Sequence, residues 1–301
     1  MDRDQVAIGI DVGGTNLRAA LVGADGVIRA RLAGPVERDR GAFVAALAAR
    51  AMELGGERAV AIGVGLPGRV DVARDAVVSA GYLDIAGLNV PAMLRAATGL
   101  PVCIENDCTM ALIAEMAVGA ATDHRDVAML TIGTGIGGAI ALDRRLVRGG
   151  AFAGQLGHMS VDPDGEICNC GRRGCIETTS SGTALTRLLR RGGGSPAMTP
   201  AGVLAAAHDG DPAAIALLRA WLTPLRSAIE SLVAVIDPGI VLLGGGLGLV
   251  AQRGLDLLAA ECSWFERPVR PASLGDDAGV IGAALRALRL HADGAAAGAP
   301  I

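Results

Sequence analysis

One histidine followed by three cysteines, His158, Cys168, Cys170 and Cys175, places an imidazole nitrogen and three thiols within 18 residues. A tetrahedral structural zinc accepts that ligand set. The C-x-C spacing is tighter than the usual finger spacing, and Gly165, Gly171 and Gly174 between the ligands let the backbone turn closely around a small ion. The expectation is a metal-pinned loop, with a redox pair or unconnected buried cysteines as the competing readings.

Two further segments could do chemistry. AIGIDVGGTNLRAALV and MLTIGTGIGGAIALD each run strand, glycine turn, strand, about 120 residues apart. A turn without Cβ atoms lets backbone N–H groups approach phosphate oxygens. Asp11 stands at the mouth of the first turn, where an acidic residue also serves as a turn-stabilising Asx residue. Gly133, Gly135 and Gly138 spell G-x-G-x-x-G, but a dinucleotide site needs a helix to open at those glycines. Ala139 to Leu142 continues as a β-type run, so that reading is set aside. Gly244, Gly245 and Gly246 follow an apolar run and precede a helical one, as a plain strand-to-helix turn would. Asp107 follows the β-type run Val102 to Glu105 and opens a helix near Cys108, the position of an N-cap carboxylate.

The elements that must position these residues read as an α/β chain. Val6 to Ile10, Leu17 to Val22 and Val27 to Leu32 are β-type runs separated by glycine turns, an antiparallel meander. Gly41 to Leu54 is helical in pattern, Val60 to Val64 and Val102 to Glu105 read as buried strands, and helices are expected near 87 to 97 and 108 to 118. A second meander starts at Val127. It is followed by the cysteine loop, helical segments from 182 to 235, a buried strand at 240 to 243 and helices at 248 to 260 and 277 to 291. The tail GAAAGAP after Asp293 reads as disordered. The duplicated plan suggests two similar α/β halves with a cleft between them and a glycine hairpin from each facing it.

Composition narrows the partners. The chain has 301 residues, long enough for two domains, and 51% are hydrophobic although only six are aromatic, so its cores are built of Ala, Leu, Val and Ile. A formal net charge of −4 gives no footprint for nucleic acid. The pairs Arg144–Arg145 and Arg172–Arg173 read as solvated loop charges. No charged leader with an apolar run follows Met1, and no uncharged apolar run reaches membrane-spanning length, so a cytoplasmic protein without membrane or nucleic-acid partners is expected. Cys103, Cys108 and Cys262 need no partner in a reducing compartment and read as small core residues.

Taken in order, IDVGGTNLRAAL at 10 to 21, GLPGRVD at 65 to 71, PVCIENDCTMALIAE at 101 to 115, TIGTGIGG at 131 to 138, A-G-Q-L-G-H with the cysteine loop, and VLLGGGLG at 241 to 248 resemble the signature of the ROK proteins. These are bacterial sugar kinases and related repressors, and the resemblance spans essentially the whole chain. It implies the two-lobed actin-like ATPase (ribonuclease H-like) fold with a central ATP and sugar cleft. It also implies a small domain over 1–117, onto which a C-terminal helix at about 279–292 packs back, and a large domain over 118–278 with the zinc loop. The implied activity is ATP-dependent phosphorylation of a hexose or N-acylhexosamine hydroxyl, at O6, by a homodimer or homotetramer. ATP, Mg²⁺ and zinc are the implied cofactors. Phosphoryl transfer needs the donor held in line, its charge neutralised and the hydroxyl proton accepted by a positioned carboxylate.

By this resemblance Asp107 is that base, and Asn106, Gly68, Arg69, Gln155, His158 and Glu177 touch the sugar. Asp11 faces Mg²⁺ and the phosphates; Gly13, Gly14 and Thr15 complete one phosphate cradle, and Thr131, Gly133, Thr134 and Gly135 the other. Gly244, Gly245 and Gly246 sit against the adenosine. His158, Cys168, Cys170 and Cys175 hold zinc, with the second ring nitrogen of His158 turned to a sugar hydroxyl.

Two departures bear on the substrate. Gln155 stands where family glucokinases carry Glu, and Ser79 to Asp84 lacks the family's Pro-Asn-Leu asparagine, for which Tyr82 or Asp84 is the candidate substitute. Glucose, an N-acylhexosamine and a cyclitol all remain open. A non-catalytic sugar sensor and a transcriptional regulator are the competing classes. The sensor would tolerate loss of Asp107 or the glycine turns, and both are kept; the regulators carry a helix-turn-helix domain ahead of the first hairpin, where only five residues precede Val6.

Overall fold

A computed structural model describes residues 4–55, 57–191, 199–258 and 266–293. Cys262, the end of the helix expected over 248 to 260 and the GAAAGAP tail lie outside the described residues. The chain forms two compact units. The first draws its described residues from Met1–Asp123, Arg144–Ala153 and Asp276–Ile301, the second from His124–Asp143 and Gly154–Gly275.

In the first unit β1 (Val6–Val12) pairs antiparallel with β2 (Asn16–Gly23), Asp11 opposite Arg18, and β2 pairs with β3 (Ile28–Pro35). β4 (Ala59–Leu66) and β7 (Val102–Asn106) add in parallel, giving the order β3-β2-β1-β4-β7. Between β4 and β7 a small ribbon of β5 (Arg69–Asp71) and β6 (Ala76–Ser79) stands apart from this sheet. β1 and β4 are buried almost throughout, as strands covered on both faces must be, whereas the edge strand β3 alternates.

On one face α1 (Phe43–Glu53) and α2 (Val90–Thr98) bring Phe43, Leu47 and Leu94 into a core with Ile8, Ile10, Ile62 and Ile104. Gly9 lies between Ile8 and Ile10 and so faces the other side. There α9 (Ala278–Ala292) lies so close that a Cβ on Gly9 would fall 1.9 Å from the Val280 carbonyl oxygen. Gly282 grants the same approach to α3 (Asp107–Val118), since a Cβ there would meet the Met110 carbonyl oxygen at 1.7 Å. Side chains are absent where the backbones must touch.

The first unit also holds the two-residue strand β10 (Arg145–Leu146). Arg144 before it is not the solvated loop charge expected: it is half-buried, and its guanidinium donates to the carbonyls of Thr122 and Met116 at 3.0 and 3.2 Å. Those carbonyls lie at and just beyond the C-terminal end of α3, where a cation is favoured. Cys103 is buried as expected, but Cys108 is only partly so, because it sits in the first turn of α3 beside Asp107.

In the second unit β8 (Val127–Ile132) pairs antiparallel with β9 (Ile136–Leu142) and parallel with β11 (Ile240–Gly244), which pairs parallel with β12 (Val269–Pro271). Five helices accompany this sheet among the described residues: α4 (Ile176–Ser180), α5 (Gly182–Arg191), α6 (Pro200–His208), α7 (Pro212–Ile236) and α8 (Gly248–Leu257). The long α7 starts where Asp211 accepts from the N–H groups of Ala213 and Ala214 with Pro212 in the first turn, a strong start signal. Its Trp221 is fully buried with Leu130, Ile132, Leu222 and Leu243, and the indole N–H donates to the Ser181 carbonyl at 3.0 Å. Among the described residues no helix is long and apolar enough to cross a membrane.

Candidate functional site

The first unit brings its chemistry to the C-terminal ends of β1, β4 and β7. β7 stops at Asn106, whose Oδ1 accepts from the Thr109 N–H at 3.1 Å, so the N-cap of α3 is Asn106 and not Asp107 as expected. Asp107 is the first helical residue. Its Oδ1 accepts from the Cys108 N–H and from Asn106 Nδ2, both at 2.8 Å, and the Cys108 side chain also hydrogen-bonds the carboxylate. Asn106 Nδ2 also donates to the Gly68 carbonyl at 3.0 Å, tying the start of the β5–β6 ribbon to the carboxylate. Burial raises the Asp107 pKa against the lowering effect of these hydrogen bonds.

Asp11 lies nearby. A Cβ on Gly65 would fall 3.5 Å from the Asp107 Cα and 3.6 Å from the Asp11 Oδ1, so the missing side chain keeps the space between them open. Burial, followed by the charge of Asp107, pushes the Asp11 pKa up to about 7, with Arg18 at 3.9 Å opposing. Two carboxylates in one desolvated space leave a deficit of positive charge, and that suits a divalent cation.

Gly13, Gly14 and Thr15 form the tight turn after β1, closed by the Gly13 N–H on the Asn16 carbonyl at 3.0 Å. Sequence reasoning missed Arg38, which donates to the Gly14 carbonyl at 2.7 Å. It also missed Arg148, whose Nε donates to the buried Glu105 at 2.7 Å. A signal for the latter existed: Glu105 lies in the otherwise apolar run VCIE, and a buried carboxylate demands a cation. Arg69 carries its guanidinium 3.7 Å over the exposed ring of Phe152, and its buried Nε has no hydrogen-bond partner among the described residues.

The second unit repeats the turn with Thr131, Gly133, Thr134 and Gly135. The Gly133 and Thr134 carbonyls accept from the Gly182 N–H and the Thr183 hydroxyl, both at 2.8 Å, which seats the turn on the start of α5. Glu177, in the first turn of α4, accepts from the Ile136 N–H at 2.9 Å and so binds the helix after the cysteine loop to the same turn. β9 continues through Ala139 to Leu142, so no helix opens at the G-x-G-x-x-G glycines. Gly245 has φ +75° and lies on the Ile132 backbone, where any Cβ would fall within 2.9 Å. The Gly244–Gly246 turn and the second glycine turn therefore touch directly.

The ligand atoms of His158, Cys168, Cys170 and Cys175 all lie within 4.8 Å of one another. His158 Nδ1 is 3.5 Å from the Cys168 sulfur, and the Cys170 and Cys175 sulfurs are 3.6 Å apart. Isolated bridges join Ser160 to Cys175 and Ile167 to Arg173, folding the loop back on itself. Gly174 makes the fold possible with φ +65° and with the Asp162 carbonyl oxygen 1.6 Å from where its Cβ would stand. Burial, helped by the neighbouring cysteines, pushes the Cys175 thiol up to about 12. A divalent cation reverses that penalty by binding the thiolate, so the donor set fits zinc. Arg172 and Arg173 are exposed as expected, each donating to a carbonyl of the loop region. Gln155 stands directly before the short helical turn Leu156–His158 that carries the histidine.

The chain is similar to known proteins along nearly its whole length. The family model described as "ROK family" matches residues 7–289. The glucokinase of Thermotoga maritima is 32% identical, over 92% of this chain and 95% of its own length. The N-acetylmannosamine kinase of Escherichia coli is 33% identical, over 93% and 97% respectively. A crystal structure of a ROK family glucokinase from Streptomyces griseus, in complex with glucose and AMPPNP, superposes with a TM-score of 0.79 at 31% identity, covering 94% of this chain and 99% of the other. The actin-like ATPase fold expected from the sequence is the fold of this protein.

Proposed function

This chain belongs to the ROK family, and from that premise we propose that it is an ATP-dependent sugar kinase in which Asp107 takes the proton from the acceptor hydroxyl, at O6 of a hexose or N-acylhexosamine. The observation that carries this reading is the state of Asp107. One carboxylate oxygen is held by the Cys108 N–H and the Asn106 amide, which fixes the carboxylate at the start of α3 with Asp11 nearby. A carboxylate oriented in this way can accept the proton of a hydroxyl brought against it. Its raised pKa brings it closer to the operating pH, which is where a general base works best.

The remaining roles follow from position. Gly13, Gly14 and Thr15, and in the second unit Thr131, Gly133, Thr134 and Gly135, present turn backbone to the phosphates, and Gly244, Gly245 and Gly246 lie beside the adenosine. Asp11 would hold Mg²⁺, which neutralises phosphate charge when bound. Asn106, Gly68, Arg69, Gln155, His158 and Glu177 contact the sugar. The Nδ1 of His158 faces the sulfurs, so zinc on that nitrogen leaves Nε2 for a sugar hydroxyl and orients the ring. The protein acts as a homodimer or homotetramer in the cytoplasm. Of the two candidates for the missing asparagine, Asp84 pairs with Arg40 at 3.3 Å and Tyr82 rests on the Gly14 turn, so neither is assigned to the sugar.

The test is a panel of hexoses, N-acylhexosamines and cyclitols scored for sugar-dependent ADP release from ATP. Release with at least one hexose or N-acylhexosamine is expected, with the phosphate found on O6 by NMR. Release with none of the panel, from protein that binds ATP, would overturn the kinase reading in favour of a sensor.

A further inference from the structure

Tyr82 is the only tyrosine in the chain and is 52% exposed. The turn that carries it is well anchored. Ala80 and Leu83 on either side are buried, the Leu83 N–H donates to the Ala80 carbonyl at 3.1 Å, and Gly81 between them has φ +57°. Anchors on both sides with an exposed ring between them project the phenol in a set direction.

That direction is the first glycine turn. A Cβ on Gly14 would fall 3.1 Å from the Tyr82 Cζ and 3.4 Å from its hydroxyl, so the hydroxyl end of the ring rests where Gly14 has no side chain. Among the described residues the hydroxyl makes no hydrogen bond, although the charges of Asp107 and Asp11 reach it. Burial first, and then those two carboxylates, push the phenol up to about 12, with Arg38 opposing. The group therefore remains a neutral O–H donor throughout the physiological range. A donor with no acceptor, held over a turn suited to phosphate, calls for an anionic oxygen brought in by a ligand.

Resting on the kinase reading above, we propose that Tyr82 donates its phenolic hydrogen bond to the terminal phosphoryl group of ATP during transfer. In that step Asp107 accepts the proton of the sugar hydroxyl and the hydroxyl oxygen forms its bond to the γ-phosphorus. The bond from that phosphorus to the bridging oxygen breaks, and ADP leaves with the electron pair. Tyr82 keeps its proton and stabilises the equatorial oxygens, where the charge of the transition state resides. The hydroxyl end of the ring, rather than its face, lies on the glycine turn, and this favours a phosphate contact over stacking on a sugar.

A single tyrosine makes the test direct, because full-length protein labelled with 3-fluorotyrosine gives one ¹⁹F resonance. The expected result is a shift of that resonance on adding the Mg²⁺ complex of AMPPNP, and little change with glucose or N-acetylmannosamine alone. Tyr82→Phe, which keeps the ring and the wild-type melting temperature, should lower kcat on the best sugar by about tenfold or more while the sugar KM stays within about twofold. A resonance that ignores AMPPNP, or responds only to sugar, overturns the proposal. So does a Tyr82→Phe enzyme with near-wild-type kcat, or one whose loss lies in the sugar KM. Wild-type protein that phosphorylates no sugar but whose resonance moves with AMPPNP overturns the kinase reading and leaves the phosphate contact of Tyr82 standing.

Discussion

The two glycine turns are built on one plan and differ in what stands around them. In the first unit β2, β1, β4 and β7 lie in the order antiparallel partner, central strand, parallel neighbour, parallel neighbour; in the second, β9, β8, β11 and β12 repeat it. The penultimate residue of the central strand is Asp11 in one and Thr131 in the other. The first turn has the Asp107 carboxylate nearby and the Tyr82 ring upon it. The second has its carbonyls on α5 and its Ile136 N–H on Glu177. The same backbone turn occurs twice, with the carboxylates of Asp11 and Asp107 beside the first copy, whereas Glu177 beside the second is engaged by the Ile136 N–H. In the proposed reaction the first turn serves the transferring phosphate, and the second holds the nucleotide.

The largest expected effect breaks the charged copy outright. Asp107→Asn keeps the Cys108 and Asn106 contacts of Oδ1 available but cannot accept a proton, so kcat should fall by about 10²-fold or more with sugar and ATP binding largely kept. Steady-state kinetics on the best sugar, with calorimetric binding of both substrates, checks it. Near-normal turnover would assign the base elsewhere.

Next, Asp11→Asn and Thr131→Val set the two copies against each other. The Asp11 variant should lose about tenfold or more in kcat/KM for MgATP, a charge-assisted contact, and the Thr131 variant several-fold less. The same carboxylate has a pH signature. Its folded-state pKa of about 7 lies above the ordinary carboxylate value of 3.8, so from about pH 4 to 7 the folded protein keeps a proton that the unfolded chain releases. Stability from this group therefore falls as pH rises through that window and is flat above it. Without added Mg²⁺, Asp11→Asn should melt about 2–4 °C above wild type at pH 8, with the gap closing toward pH 4. An equal loss of activity from both variants, or a gap independent of pH, would erase the asymmetry.

The cysteine loop sharpens the contrast in another way, because in the proposed reading the second unit offers His158 and three thiols to an ion where the first offers a carboxylate to the reaction. Metal analysis of protein purified without chelator should find about one zinc per chain. Cys170→Ser should lower both the melting temperature and turnover, since the loop carries His158 at one end and Glu177 just beyond the other. A zinc-free variant with wild-type turnover would separate the loop from the reaction.

How much of this was legible in the sequence follows from range. Strands, helices and both glycine turns are written in local periodicity and turn residues, and the cysteine loop in ligand spacing, so all could be read from neighbours along the chain. The contacts that adjust the site were not, because they join distant residues. Arg148 meets Glu105 and Arg38 meets Gly14 only once β-strand register is set. Arg69 and Phe152 are likewise brought together by the fold, without a pattern that announces the pair. The cap of α3 was misplaced by one residue because Asn and Asp are about equally good caps, and E-N-D offers both.

The smallest expected effect is one of ranking, and it probes Gln155 of the second unit, where the family resemblance implies a glutamate. Gln155 offers one acceptor oxygen and a donating NH₂, whereas a carboxylate in its place accepts from two adjacent hydroxyls. An amide donor suits a substrate that brings its own acceptor, such as an acetyl carbonyl, and a hydrogen bond to a charged group is stronger by about 1 kcal/mol than one to a neutral group. Wild type should therefore prefer a hexosamine, another hexose or a cyclitol to glucose, and Gln155→Glu should raise the relative kcat/KM for glucose by about fivefold without restoring anything lost at Asp107. Comparing kcat/KM over the sugar panel for both proteins decides the matter. Glucose first in wild type, with the order unchanged in the variant, would show that residue 155 does not read the sugar and that specificity lies with the first unit, at Arg69 and the ribbon Asn106 holds.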